Sequence, residues 1–209
     1  TDVVSISACG SFRENLVPGD FVIVDQFIDQ TFAREKSFFG TGCVAHVSVA
    51  HPTCAALSTS CLKAGQSAGV TMHNGGTYLA MEGPQFSSMA ESHMYRTWGC
   101  DVIGMTNMPE AKLAREAELH YASIAMITDF DSWHPNHLDV SVSHIIKTLQ
   151  DNGTKACDLV MALCAYLSAT KTTCDAGCNT ALTHAIMTSP DKRDPSLIAK
   201  LDAVAGRVL

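Results

Sequence analysis

Tyr121-Ala-Ser-Ile-Ala-Met-Ile-Thr-Asp-Phe-Asp131 is the stretch that decides the fold, because a nearly continuous apolar run leads directly into two carboxylates. Such a run predicts a buried strand of the kind found in parallel sheets. Side chains alternate along a strand, so Asp129 and Asp131 are expected to project to the same side. Two carboxylates held close together cannot both ionise cheaply, so one of them is a candidate acid catalyst. A magnesium site or a turn would use the same residue types.

Composition limits the kind of protein that this chain can be. With 209 residues, of which 46% are apolar, it can bury one sizeable core, so we expect a single domain over residues 1–209. The net charge of −7 and the lack of any Lys/Arg run argue against nucleic-acid or anionic-membrane partners and favour small molecules. The longest apolar stretch, 159–167, is too short to cross a bilayer, so we expect no membrane association and a cytoplasmic location.

The cysteine pattern favours a reducing compartment. Nine cysteines are scattered along the chain, and an odd number does not suit a disulfide framework. Only Cys174 and Cys178 are close neighbours in a spacing that resembles a metal or redox pair. Zinc stays an alternative there, but free or redox-labile thiols are favoured because zinc ligands usually come as four. We therefore expect no metal.

Turn and capping signals divide the chain into alternating strands and helices. The predicted strands cover 3–8, 21–27, 76–81, 101–105 and 121–128. The predicted helices cover 88–98, 109–119, 141–169 and 181–187, with a break at Asn152-Gly153 as an alternative, and an amphipathic tail follows over 197–208. This order predicts an α/β fold with a mainly parallel mixed sheet flanked by helices.

Ligands in such sheets bind beyond the carboxyl ends of the strands. Three segments lie at predicted strand ends, namely 7–8, 105–106 and 129–131. We therefore expect the binding site where these three segments meet.

Several separate motifs, in one order along the chain, carry a family resemblance. They are Glu82-Gly-Pro-Gln-Phe-Ser-Ser88, Arg96-Thr-Trp-Gly99, Asp101-Val-Ile-Gly-Met-Thr106, Pro109-Glu110 and the stretch 121–131. Together they resemble the 5′-methylthioadenosine phosphorylase family of trimeric purine nucleoside phosphorylases, over about residues 3–165. The resemblance implies a glycosyltransferase of purine and methionine salvage that converts 5′-methylthioadenosine and phosphate to adenine and 5-methylthioribose 1-phosphate. It implies no cofactor, with inorganic phosphate as co-substrate.

The resemblance also implies roles for the residues that match the family at the base and the ribose. Asp129 would protonate the purine at N7, and Asp131 would help to hold the base. Phe86 would stack on the purine with Ser87 beside it, and Met105 would pack against the ribose.

Further implied roles concern the rest of the substrate and the oligomer. Val142 and Ile145 would line the methylthio pocket. His46 would reach into the site of a neighbouring subunit, so that the homotrimer would complete each site. The implied phosphate ligands are Ser7, Ala8 and Thr106.

The chemistry of the residues is consistent with these roles. Cleavage of a glycosidic bond passes through an oxocarbenium-like state, and a protonated purine leaves more easily than an anionic one. Two acidic groups favour a 6-amino purine, which offers hydrogen-bond donors, over a 6-oxo purine. A lining of methionine and aliphatic side chains suits a thioether. Another nucleoside (methylthioinosine, adenosine or inosine) or an inactive purine-binding homologue remains the alternative.

The chain departs from the family ahead of Val3. Family members carry there a glycine-rich phosphate loop and an Arg-His pair, and neither is present in this sequence. We expect a carboxyl-terminal fragment of the domain that lacks the amino-terminal strands, with the phosphate loop on a companion polypeptide. Complete absence of that part and a truncated homologue are the other interpretations.

Overall fold

The computed structural model describes residues 2–135 and 142–209, and in the second range it describes side chains from residue 146 onward. The strands are β1 (Asp2–Ser11), β2 (Phe21–Val24), β3 (Gln26–Gln30), β4 (Met72–Asn74), β5 (Thr77–Met81), β6 (Val102–Gly104) and β7 (His120–Asp129). The helices are α1 (Ala55–Ser67), α2 (Met89–Thr97), α3 (Glu110–Glu116), α4 (Val142–Ala169) and α5 (Pro195–Ala205). Among these helices, none combines the length and the apolar character that crossing a membrane requires.

The strands form one seven-stranded sheet in the order β3-β5-β6-β1-β7-β2-β4. Four pairings are parallel (β1 with β7, β2 with β4, β3 with β5 and β5 with β6), and two are antiparallel (β1 with β6 and β2 with β7). The predicted α/β class with a mainly parallel mixed sheet is therefore confirmed. β7 lies near the centre, which explains its nearly continuous apolar sequence.

The single strand predicted over 21–27 is wrong, because this segment forms two strands at opposite ends of the sheet. The chain bends at Asp25, where the backbone N–H groups of Asp25 and Gln26 both donate to the carbonyl oxygen of Gly76, at 3.2 and 3.4 Å. The segment that carries β4 and β5 runs parallel to this one, because β4 pairs with β2 and β5 pairs with β3. It bends at the same level, between its two strands. Each segment therefore supplies one strand to each edge, and the sheet curls so that its edges approach one another.

Helix α2 begins as its sequence predicts. The Ser88 side chain accepts a hydrogen bond from the backbone N–H of Glu91, whose carboxylate accepts one from the N–H of Ser88 at 2.8 Å. This capping box pairs N–H groups that the first helical turn leaves free. It fixes the segment from Phe86 to Ser88 beside the strand ends.

The long helix predicted over 141–169 is confirmed as α4, the short helix predicted over 181–187 is wrong, and one helix is missed. α4 runs unbroken through Asn152-Gly153, because Asn152 is buried and its amide donates to the carbonyl of Ile127 at 3.0 Å. The segment 181–187 forms turns and an isolated bridge between Ala45 and Ile186 instead of a helix. α1 is a small-residue helix with no clear apolar stripe in its sequence. The amphipathic tail forms the helix α5.

Helices cover both faces of the sheet. α1 and α4 pack on one face, around Phe21, Leu57, Ile124 and Leu159, and α3 packs on the other, around Met108 and Ala111. The tail packs as a separate cluster with the loop around Phe39 and Cys43. This arrangement leaves the ends of β1, β5, β6 and β7 open to one cavity.

Candidate active site

A cavity of about 250 Å³ opens where the ends of these strands meet. Its lining is largely apolar, with a few polar groups, as is usual for small-molecule sites. The lining residues are Ala8, Cys9, Gly10, Met81, Phe86, Ile103, Gly104, Met105, Thr106, Thr128, Asp129 and Asp131. Residues from all three segments that the sequence singles out thus meet at one cavity, although residues 7–8 lie inside β1, which continues to Ser11.

The two aspartates face this cavity through a tight turn at the end of β7. The backbone N–H of Asp131 donates to Oδ1 of Asp129 at 2.8 Å, and Asp131 adopts a left-handed φ of 50°. Left-handed backbone is tolerated by aspartate better than by most residues. The pair therefore forms a turn and also presents both carboxyl groups to one space, which confirms the expectation that they share a side.

Burial raises the pKa of both carboxyl groups above the ordinary aspartate value. For Asp129, burial outweighs the lowering by the Thr128 hydroxyl and by the N–H of Asp131. For Asp131, burial is again the largest cause, and repulsion by Asp129 adds to it, while a hydrogen bond from Ser92 opposes it. Loss of solvent therefore raises these pKa values more than repulsion between the two carboxyl groups does. A proton is therefore held on this pair more readily than on an exposed aspartate.

Gly10 allows the strand β1 to pass close to the two carboxyl groups. A Cβ atom at this position would lie 3.0 Å from Oδ1 of Asp129 and 3.2 Å from Cβ of Asp131. Such contacts are too short for any side chain without movement of the acids. Sequence reasoning missed Gly10, although a glycine directly after an extended apolar strand signals a close approach.

The predicted base and ribose residues divide into two groups. Phe86 and Met105 line the cavity, and Phe86 keeps 53% of its surface exposed at the mouth. Ser87 is buried behind the lining, where its carbonyl accepts a hydrogen bond from the Ser132 hydroxyl at 2.8 Å. The structure thus brings an aromatic ring and a thioether to the acid pair, and it places Ser87 one layer back.

The predicted phosphate residues surround the buried side chain of Asn107. Ala8 and Thr106 line the cavity. The Asn107 amide donates to the hydroxyls of Ser7 and Thr106, at 3.5 and 3.4 Å, and its Oδ1 accepts from the hydroxyl of Tyr121 at 2.7 Å. Asn107 was not predicted, and its left-handed φ of 69° is the local reason for an asparagine at this turn.

Arg34 is a second residue that sequence reasoning missed. Its guanidinium donates to the carbonyls of Met105, Met108 and Glu82, at 2.9, 2.5 and 3.0 Å. It therefore ties together two loops behind the cavity, one of which carries Met105. No local sequence signal marks it, because its partners, which are backbone carbonyls and the Glu82 carboxylate, are all distant along the chain.

Besides Ser7 and Ser87, which are not in the lining, three further predicted residues are not seen in this cavity. His46 is exposed, and its backbone N–H donates to the carbonyl of Ala185 at 2.8 Å, away from the acids. The side chains of Val142 and Ile145 lie outside the described residues.

Comparison with known proteins relates this site to established ones. A profile of the Phosphorylase superfamily matches residues 1–165. An S-methyl-5'-thioadenosine phosphorylase of Cereibacter sphaeroides is 66% identical over 209 residues, which is 100% of this chain and 72% of that relative. Its namesake from Bradyrhizobium diazoefficiens is 56% identical over the same share of this chain and 72% of its own length.

Solved structures agree with the sequence relatives. A methylthioadenosine phosphorylase from an antarctic soil metagenomic library superposes with a TM-score of 0.91 at 43% identity, over 97% of this chain and 71% of that one. A methylthioadenosine phosphorylase from Schistosoma mansoni in complex with adenine gives a TM-score of 0.78 at 32% identity, over 82% and 66%. The protein therefore belongs to the phosphorylase superfamily, in which its relatives are methylthioadenosine phosphorylases.

Proposed function

We propose that this protein is a pentosyltransferase that cleaves 5′-methylthioadenosine with phosphate, to give adenine and 5-methylthioribose 1-phosphate. The observation that carries the proposal is a carboxyl group of raised pKa, on Asp129, in a cavity that also presents Phe86 and Met105. The names of the relatives support the same reaction. The reaction needs no cofactor, since phosphate is the second substrate.

Asp129 acts as the acid that protonates the purine at N7 as the glycosidic bond breaks. The Thr128 hydroxyl lies 2.7 Å from Oδ2 of Asp129 and 3.1 Å from the carbonyl of Cys9. It donates to the carboxylate when Asp129 is ionised, and it accepts from the carboxylic acid while donating to Cys9 when Asp129 is protonated. Both protonation states therefore keep a hydrogen bond, so the proton moves without leaving a buried group unpaired.

Asp131 selects the base. Its Oδ2 is buried and, the Ser92 hydroxyl apart, has no hydrogen-bond partner among the described residues, so it keeps an acceptor position for the base. An acceptor here suits the exocyclic amino group of adenine, while a 6-oxo purine would place an acceptor against an acceptor. Adenine is therefore preferred to hypoxanthine.

The sugar and its methylthio group contact the soft part of the lining. Met81, Ile103 and Met105 give this side of the cavity its apolar character. A thioether fits such a surface better than a hydroxyl or a phosphate does. The same proposal assigns Val142 and Ile145 to the methylthio group.

Phosphate binds through Ser7, Ala8 and Thr106. No lysine or arginine is among the described residues that line the cavity, and a phosphate dianion next to two acids requires positive charge. A companion polypeptide with a glycine-rich loop and an Arg-His pair is therefore part of the proposal. Intact-mass analysis of folded, active material should find it, and detection of the 22.3 kDa chain alone would contradict it.

The proposal also includes a homotrimer in which His46 reaches the neighbouring site. Val44 and Met187 expose 39% and 56% of their surface beside His46, and the N–H of Met187 donates to the carbonyl of Val44 at 2.8 Å. Exposed apolar side chains around a histidine are consistent with a subunit contact. The proposed location is the cytoplasm, in keeping with nine free thiols.

Adenine release from methylthioadenosine, measured with and without phosphate, tests the function. We expect release only with phosphate, and a preference for methylthioadenosine over methylthioinosine and inosine. Release without phosphate would indicate a nucleosidase. The lack of a lysine or arginine among the described lining residues favours one second candidate, an inactive purine-binding protein. Calorimetry that finds adenine binding, together with no turnover at high phosphate, would support this candidate.

A further inference from the structure

A second cluster of reactive side chains lies at the opposite end of β7 from the acid pair. Ligand atoms of Cys54, His120 and Cys174 lie within 4.8 Å of one another. The Sγ atom of Cys178 is 3.2 Å from that of Cys174. Cys54 precedes α1, His120 begins β7, and the other two thiols belong to the segment after α4. Three distant parts of the chain thus bring two thiols and one imidazole together, and the third thiol, that of Cys178, lies next to Cys174.

The histidine of this cluster is buried and only half satisfied. His120 is 8% exposed, its Nδ1 lies 2.7 Å from Oδ1 of Asp2, and its Nε2 is buried with no hydrogen-bond partner in the described chain. A buried ring nitrogen without a partner is costly unless something binds it. Since Nδ1 is engaged by Asp2, Nε2 is the nitrogen that can bind a ligand in the cluster.

We propose that Cys54, His120, Cys174 and Cys178 bind one structural zinc ion in tetrahedral geometry. Three thiolates and one imidazole are a common closed ligand set for zinc, and soft sulfur ligands disfavour magnesium and calcium. Binding requires deprotonated thiols, so the ion displaces thiol protons to solvent and no redox step is involved.

The residues around the cluster match what a zinc site needs. A histidine ligand of zinc usually donates the N–H of its other ring nitrogen to a carboxylate, and the Asp2 carboxylate lies beside Nδ1 of His120. The Thr172 hydroxyl in turn donates to Oδ2 of Asp2 at 3.1 Å. The Arg115 guanidinium donates to Sγ of Cys178 at 3.4 Å and offsets the charge of three thiolates. A cavity of about 210 Å³ beside Asp2 and His120 gives an entry path.

The ion would act through structure rather than through catalysis. β7 has ten residues, so its two ends are separated by about 30 Å at the usual rise of an extended strand. The ion joins the segment 174–178 to the starts of α1 and β7. The proposal departs from the expectation of no metal, because the sequence spacing reveals only two of the four ligands.

Elemental mass spectrometry of the full chain, purified with reductant and without chelator, tests the site. We expect about one zinc per chain, close to none in Cys178→Ser and His120→Asn, and an unchanged amount in Cys157→Ser and Cys164→Ser. The last two variants are matched controls, because both thiols are exposed on α4. Asp2→Asn should weaken zinc binding about 10–100-fold.

A measurement on the unmodified chain covers the case in which a variant does not fold. After removal of metal by a chelator, zinc should raise the Tm, and Co²⁺ should give the visible absorption of a tetrahedral thiolate complex. A metal-free chain with a Cys174–Cys178 disulfide would overturn the proposal. Equal zinc content in Cys178→Ser and the unmodified chain would overturn it as well.

Discussion

The two ends of β7 differ in the polar groups that are packed against one another there. At the amino end, Nδ1 of His120 lies 2.7 Å from the carboxylate of Asp2, and three thiols are close by. At the carboxyl end, Asp129 and Asp131 are buried together and no cation lies among the described residues that line their cavity. One end is built from complementary groups, whereas the other places like groups side by side.

This difference indicates where stability and where reactivity reside. Complementary groups lower the free energy of the fold, while burial of two acidic groups raises their pKa at the expense of stability. Substitutions at the two ends should therefore have opposite effects on activity and on unfolding.

Asp129→Asn should have the largest effect on activity. The amide cannot deliver a proton to N7, so kcat should fall by about 10²–10⁴-fold, the usual worth of a general acid. His120→Asn is the matched change at the other end, and it should lower the Tm while kcat stays within about twofold. Steady-state kinetics and thermal unfolding of both variants check this, and a large loss of kcat in His120→Asn would break the comparison.

Gly10→Ala should be the next most damaging change at the carboxyl end. The added Cβ would lie 3.0 Å from Oδ1 of Asp129, so the acids must move. A displacement of about 1 Å can cost about 10²-fold in rate, and a Cβ here calls for a shift of a few tenths of an ångström, so we expect a loss of about 10-fold in kcat/KM. Gly153→Ala is the control, since no atom lies within 4 Å of a Cβ there. Full activity in Gly10→Ala would contradict the close approach.

Phe86→Ala should weaken substrate binding, so its effect should appear in KM. Loss of a stacking ring costs about 1–3 kcal/mol per base, which corresponds to an increase in KM of about 5–150-fold. Phe32→Ala removes an 82% exposed ring away from the cavity and should leave KM unchanged. Equal KM values in both variants would show that Phe86 does not contact the base.

The smallest of these effects should be the change in thermal stability that Asp131→Asn causes. Because the pKa of Asp131 is raised in the folded state, its stabilising contribution is present below the unfolded pKa of about 3.9 and is lost as pH rises through the folded value. The asparagine side chain does not titrate, so the variant loses no stability over that pH range. The Tm of the variant minus the Tm of the unmodified protein should therefore increase from acid to neutral pH. A Tm difference that does not change with pH would contradict a raised pKa for Asp131 in the folded protein.

The sequence alone predicted the parts of the fold that depend on local patterns. The apolar run before Asp129 gave the central strand, and Ser88 with Glu91 gave the start of α2. The bend at Asp25 could not be predicted, because its cause is the carbonyl of Gly76, far along the chain. The helix through Asn152-Gly153 depends in the same way on a tertiary contact, with Ile127.

The candidate site was predictable where the resemblance supplied motifs. Phe86, Met105 and Asp129 were found in this way and do line one cavity. Arg34 and Asn107 were missed because they act on backbone and hydroxyl groups of other segments, and such contacts leave no periodic signal. The family roles of Val142 and Ile145 stay predictions.

The curl of the sheet has a consequence for how the protein opens. β2 and β3 are separated by a single residue, yet they lie toward opposite edges, and β4 and β5 follow the same course as their parallel partners. Because only Asp25 separates β2 from β3, local unfolding at one edge of the sheet should destabilise the strand pair at the other edge. Backbone amides at both edges should exchange with solvent as one cooperative unit, instead of as two independent ones.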